Sequence, residues 1–121
     1  FLTGMAQGID LIAAELVLDV KRAYPEAEIR LAAAVPFEGQ ANRWTEKYRD
    51  RYFTVLSKAD EVVTLQKRYT NTCLRERARY MLDASSRLIA VYNGARGETT
   101  KYAVDYAIKN GLDVVIINPD L

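Results

Sequence analysis

The spacing of apolar positions changes repeatedly along this chain, between helical and strand-like periods. Between Gly8 and Tyr24, Ile9, Ile12, Ala13, Leu16, Val20 and Tyr24 recur at helical intervals while Asp19, Lys21 and Arg22 fall off that stripe. This predicts an amphipathic helix closed by Pro25, with the stripe as its packing face. Ile29 to Val35 is a short apolar run ending at Pro36, the pattern of a strand buried on both faces. After the loop Phe37-Glu38-Gly39-Gln40, residues Trp44, Tyr48, Tyr52, Val55 and Leu56 mark a second amphipathic helix, and Glu61 to Leu65 a second brief strand.

A third helix is expected from about Asn71, as N-cap, to Ala84, with Leu74, Ala78, Met81 and Leu82 inward. Arg87 to Tyr92 reads as a strand, and Asn93 to Thr99 as a glycine-bearing turn. The next helix has Tyr102, Ala103, Tyr106 and Ala107 inside, Gly111 as its C-cap, and Asp113 to Asn118 as the strand that follows. Strand and helix thus alternate with short connections, which predicts an α/β fold: a mainly parallel sheet between helical layers, as one domain over residues 1–121. In such sheets ligands bind outside the carboxyl ends of the strands. The segments there are Thr3 to Gly8, Pro36 to Gln40, Gln66 to Thr70 and Asn93 to Thr100, expected to share one rim.

Composition narrows the chemistry. Seventeen basic residues against 16 acidic ones give a net charge of +1 with no long basic run, which disfavours a nucleic-acid groove held by bulk electrostatics. The chain has no histidine, which excludes serine–histidine triads and removes the commonest zinc ligand, so no metal or cofactor is expected. The single cysteine, Cys73, fits a cytoplasmic chain and a plain helix position. No apolar run reaches membrane-spanning length. The chain begins Phe1-Leu2-Thr3-Gly4, inside a strand that is already ending, as if its natural start were missing.

The candidate site follows from two turns. Thr3-Gly4-Met5-Ala6-Gln7-Gly8 joins a strand end to a helix start, where glycines allow close backbone approach and the helix N-terminus offers unpaired N–H groups to an anion. A tight turn needing glycine for geometry alone is the competing explanation. The stretch from Asn93 to Thr100 repeats the arrangement, with Gly94, Gly97, Thr99 and Thr100 on the ligand side and Glu98 as an awkward negative charge. Arg77 shares the inner face of the third helix with Leu74 and Met81, so its guanidinium needs a carboxylate, such as Asp83 or Asp105, or a bound anion. Asp10 is expected to cap, and Glu15 to face either the site or solvent. Phe37, after Pro36, either stacks on a base or sugar or plugs the sheet edge. Glu38 is the first candidate for a general base if catalysis occurs.

These motifs resemble the SLOG superfamily, which includes the DNA-processing protein A family and the Lonely Guy enzymes. Thr3-Gly4-Met5-Ala6-Gln7-Gly8-Ile9-Asp10 is similar to the glycine-rich stretch of the former. Arg77 with Met81, the strand from Leu88 to Tyr92 and the Gly94–Thr99 loop are similar to the latter. Across the whole chain, Thr3 to Asp10, Pro36 to Gln40, Tyr80-Met81-Leu82-Asp83 and the Gly94 loop resemble the YpsA family. That resemblance implies a Rossmann-like fold, usually with an earlier strand and helix. It also implies a ligand such as a nucleotide, a nucleotide sugar or an ADP-ribose derivative, regulation in bacterial cell division or stress, and assembly into dimers or larger forms.

The sequence departs from Lonely Guy enzymes at Lys101 and Tyr102, which stand where catalytic glutamates follow the loop, and Ala78 replaces an asparagine. The expectation is therefore binding or sensing of a phosphate-bearing molecule through Thr3, Gly4, Met5, Gly8, Phe37, Glu38, Arg77, Asn93, Gly94, Gly97, Thr99 and Thr100. The first alternative is a nucleoside monophosphate phosphoribohydrolase with Glu38 and Arg77 in catalytic roles. The second is a DNA-binding protein of the DNA-processing type.

Overall fold

The computed structural model describes residues 1–94 and 98–120, with Glu98 described by its backbone only. Strands and helices alternate as β1 (Leu2–Thr3), α1 (Ile9–Ala23), β2 (Ala32–Val35), α2 (Glu46–Lys58), β3 (Glu61–Thr64), α3 (Cys73–Asp83), β4 (Arg87–Val91), α4 (Glu98–Lys109) and β5 (Asp113–Ile117). Among the described residues the strand pairs are parallel, so the α/β, Rossmann-like class is observed. The strands sort into two sheets, β1-β2-β3 and β4-β5, and the chain into two compact units, Phe1–Thr70 and Asn71–Leu121.

In the first unit β2 is the middle strand, with Leu2 opposite Ala32 on one side and Glu61 opposite Ala32 on the other. Ala33 and Val35 point to the same face because side chains alternate along a strand. There they join Met5, Leu11, Ala14, Leu31, Ala41, Tyr52 and Val55 in one core. The inner stripe expected for α2 is observed: Tyr52 and Val55 are buried, and Trp44, Tyr48 and Leu56 pack beside them. Strand β2 is shorter than the Ile29–Val35 run, because Pro25–Ala27 forms a 3-10 turn and Glu28 takes a left-handed φ of 53°.

Helix α1 is the main correction. The stripe of Ile9, Ile12, Leu16, Val20 and Tyr24 is exposed, whereas Leu11 and Ala14 are buried and Val17 and Leu18 pack against the core. The helix carries apolar residues on opposite faces, and a 3.6-residue period marks both without ranking them. Polar contacts settle the side that faces the sheet. Lys21 Nζ pairs with Asp60 at 2.7 Å, Asp60 Oδ2 accepts the Leu31 N–H at 2.8 Å, and Arg51 donates twice to the Glu15 carboxylate.

In the second unit β4 and β5 pair in register from Arg87 opposite Asp113 to Val91 opposite Ile117. Helices α3 and α4 pack on each other, with Arg75 lying 5.2 Å from the centre of the Tyr102 ring. Ala107 and Val104 are the buried residues of α4, while Tyr102 and Tyr106 are half-buried. Gly111, at φ 75°, terminates α4 as expected: its N–H donates to Ile108 O and that of Leu112 to Ala107 O, the paired bonds of a glycine C-cap. The start of α3 differs from expectation, since Thr72 rather than Asn71 is the N-cap and its hydroxyl turns to Glu76. Among the described residues no helix is long and apolar enough to cross a membrane.

Candidate functional site

The turn after β1 is built by short-range hydrogen bonds. Thr3 Oγ1 accepts the Met5 N–H at 3.2 Å and donates to Asp10 O at 3.2 Å. The Asp10 carboxylate accepts the Ala6 N–H at 3.3 Å, so Asp10 caps the turn rather than the helix end. Met5 is held at φ 57° with its side chain fully buried, a left-handed conformation that is costly for a residue with a Cβ. Part of what holds it there is distant in sequence. Gln40 Nε2 donates to Met5 O at 3.0 Å, and the Gln40 side chain also hydrogen-bonds the Tyr52 hydroxyl.

Gly8, at φ 98°, immediately precedes α1, and a Cβ built on it meets nothing within 4 Å. Its carbonyl accepts the Ile12 N–H, the first bond of the helix. The N–H groups from Gly8 to Leu11 therefore have no acceptor in a preceding helical turn, and the positive end of the helix dipole lies beside exposed Gly8. Thr3, Gly4 and Met5 are buried and shape the turn; Gly8 is the member that reaches solvent.

The loop after β2 borders the same turn. Glu38 is exposed, and its N–H donates to Gln66 O at 3.1 Å, tying this loop to the one after β3. Phe37 is half-buried, with its ring edge-on to Tyr69 at 5.5 Å between centroids. Gly39 is favoured by its φ of 76°, and a Cβ there would in addition push the Asn42 side chain aside, from which it would lie 2.6 Å. Burial raises the Tyr52 phenol above its ordinary range, and its bond to Gln40 partly opposes that shift.

In the second unit a glycine again follows a strand, β4, ahead of a helix. Gly94 lies at φ 84° with open space where a Cβ would stand, and Thr99 and Thr100 sit, partly exposed, in the first turn of α4. Asn93 Nδ2 donates to Asp120 Oδ2 at 2.8 Å. Gly97 lies outside the described residues. Arg77 is buried, 7% exposed, as its place on the inner face of α3 predicts. Asp83 accepts the Tyr106 hydroxyl at 2.6 Å and raises its pKa, while Asp105 pairs with Lys101.

The sequence-predicted residues thus fall into a first-unit set (Thr3, Gly4, Met5, Gly8, Phe37, Glu38) and a second-unit set (Arg77, Asn93, Gly94, Thr99, Thr100). Gln40, expected as a loop residue, and Tyr52, expected on the inner stripe of α2, support the first turn without having been candidate site residues. Gln40 stands in the Pro36–Gln40 motif, but its role depends on a carbonyl 35 positions away.

Parallel strands joined through helices, with glycine turns at the strand ends, define a small Rossmann-like α/β protein. The chain belongs to the YpsA family of SLOG proteins: the family model, described as the YspA SLOG family, matches residues 1–120. It is similar to UPF0398 proteins of Bacillus cereus (strain G9842) and Bacillus thuringiensis (strain Al Hakam). Each is 33% identical over 106 residues, covering 86% of this chain and 56% of the relative. The chain therefore spans little more than half the length of these relatives.

Proposed function

We propose that this chain binds a phosphate-bearing, nucleotide-like small molecule as a sensor or regulatory domain. The observation that carries the proposal is a pair of positive-φ glycines with open space above them at strand-to-helix connections: Gly8, the residue before α1, and Gly94, after β4 and ahead of α4. Helix starts of this kind present N–H donors and a positive dipole end to an anion. Thr99 and Thr100 add hydroxyl donors, and Arg77 adds a fixed positive charge in the second unit. Asp10 works against an anion near Ala6, which leaves the N–H groups from Gly8 onward as the donors in the first unit. Membership of the SLOG family supports the ligand class.

Titration with adenosine monophosphate, a nucleotide sugar and ADP-ribose tests this by thermal shift. A ligand at a hundred times its dissociation constant should stabilise the protein by roughly 2.7 kcal/mol. No shift with any of them sinks the proposal. Release of free adenine from adenosine monophosphate, lost in Glu38→Gln, would replace the sensor with a hydrolase.

A further inference from the structure

A pocket of about 210 Å³, open to solvent, lies beside the 38–42 loop in the first unit, between α2 and β3. Val35, Phe53, Leu56 and Val62 form its apolar wall, and Glu38, Asn42 and Thr64 are among its polar members. Pockets for complete drug-sized ligands run from about 300 Å³ upward. A space this size holds a single ring system rather than a whole nucleotide.

The polar groups of the lining differ in what they have left to offer. Tyr52 and Gln40 also line the cavity but already hydrogen-bond each other, and Gln40 spends a second bond on Met5 O. Among the described residues no side chain donates to the Glu38 carboxylate, which can only accept at neutral pH. A ring that fills the cavity and satisfies Glu38 must therefore carry an N–H or amino donor. Gln40 bounds the cavity and also holds the turn that precedes Gly8, so a ring here and a phosphate at the start of α1 would lie on either side of one side chain.

We infer that this cavity is the ring subsite for an amino-bearing heterocycle, such as a 6-aminopurine, with Glu38 accepting from the amino group and Phe53 lying against the ring. This rests on the nucleotide-binding proposal for the class of ligand, and it can be tested apart from it. Calorimetric titrations of the full chain use inorganic phosphate, adenosine, purine riboside and adenosine monophosphate. The expected result is at least tenfold tighter binding of adenosine than of purine riboside, whose ring carries no hydrogen-bond donor.

Thr64→Trp, which fills the cavity, should abolish adenosine binding and leave phosphate binding intact. Glu38→Ala should remove the preference for the amino ring without filling the space, and it serves if the tryptophan variant does not fold. Equal affinity for adenosine and purine riboside, or adenosine binding that survives Thr64→Trp, overturns the subsite. Phosphate binding without adenosine binding also overturns it while sparing the phosphate proposal. Adenosine binding without phosphate binding upholds the subsite and removes the phosphate end; no binding of any probe overturns both.

Discussion

Strands β2 and β5 are both short apolar runs, and they meet opposite fates. Ala33, Ala34 and Val35 of β2 are at most 4% exposed, whereas Val115, Ile116 and Ile117 of β5 are 41–50% exposed. The difference lies in their neighbours. Strand β2 is paired on both edges, by β1 and β3, and one of its faces lies against the core built with α1 and α2. Strand β5 pairs with β4, and α4 is the helix that packs on it. Helix α1 repeats the lesson on its own two faces: Leu11 is buried and Leu16, five residues on, is 58% exposed. An apolar pattern states what could be buried, and the packing partner decides what is.

Truncation at a buried and at an exposed position separates the two strands most widely. Leu31→Ala, at a fully buried position leading into β2, should cost about 2–5 kcal/mol in urea unfolding. Ile117→Ala should cost less than about 1 kcal/mol, since half of its surface is already in water. Equal losses would mean that β5 is covered in solution.

The two turn glycines come next. Gly8→Ala and Gly94→Ala each place a Cβ at positive φ with nothing to collide with, so each should cost about 1–3 kcal/mol from backbone strain alone. A much larger loss at Gly8 would show that its turn has less room to adjust than the one after β4.

Acid should weaken the first unit through two carboxylates. The Lys21 hydrogen bond, followed by the Leu31 N–H, lowers the Asp60 pKa below 3.8, and the Arg51 hydrogen bond lowers that of Glu15 below 4.5. A carboxylate with a depressed folded-state pKa stabilises the fold above its unfolded value, and that contribution is lost as pH falls through the folded value. Asp60→Asn should therefore flatten the decline in melting temperature below about pH 4 while lowering stability at neutral pH. An unchanged acid profile would show that the Lys21 and Leu31 contacts do not persist in solution. The smallest effect belongs to the exposed strand: Val115→Thr should change stability by no more than about 0.5 kcal/mol.

Much of the fold was legible because it rests on local signals. Pro25 closing α1, Gly111 closing α4 and the inner stripe of α2 all stand where short-range spacing put them. Arg77 was marked by its place among apolar neighbours, and its burial follows from that face. Less was legible in the candidate site. The glycines of both turns could be found by type, but the left-handed Met5 could not, because nothing in its neighbours demands that conformation and Gln40 holds it from far along the chain.

The alternation of strand and helix, the turns that need glycine and the absence of histidine chemistry depend on residue type and near neighbours, and so they can be read along the chain. Which face of α1 lies inward, which apolar strand is covered, and the support that Gln40 and Tyr52 give the first turn emerge on folding. Those outcomes depend on contacts between residues far apart in the chain, such as Lys21 with Asp60 and Gln40 with Met5, which no local pattern encodes.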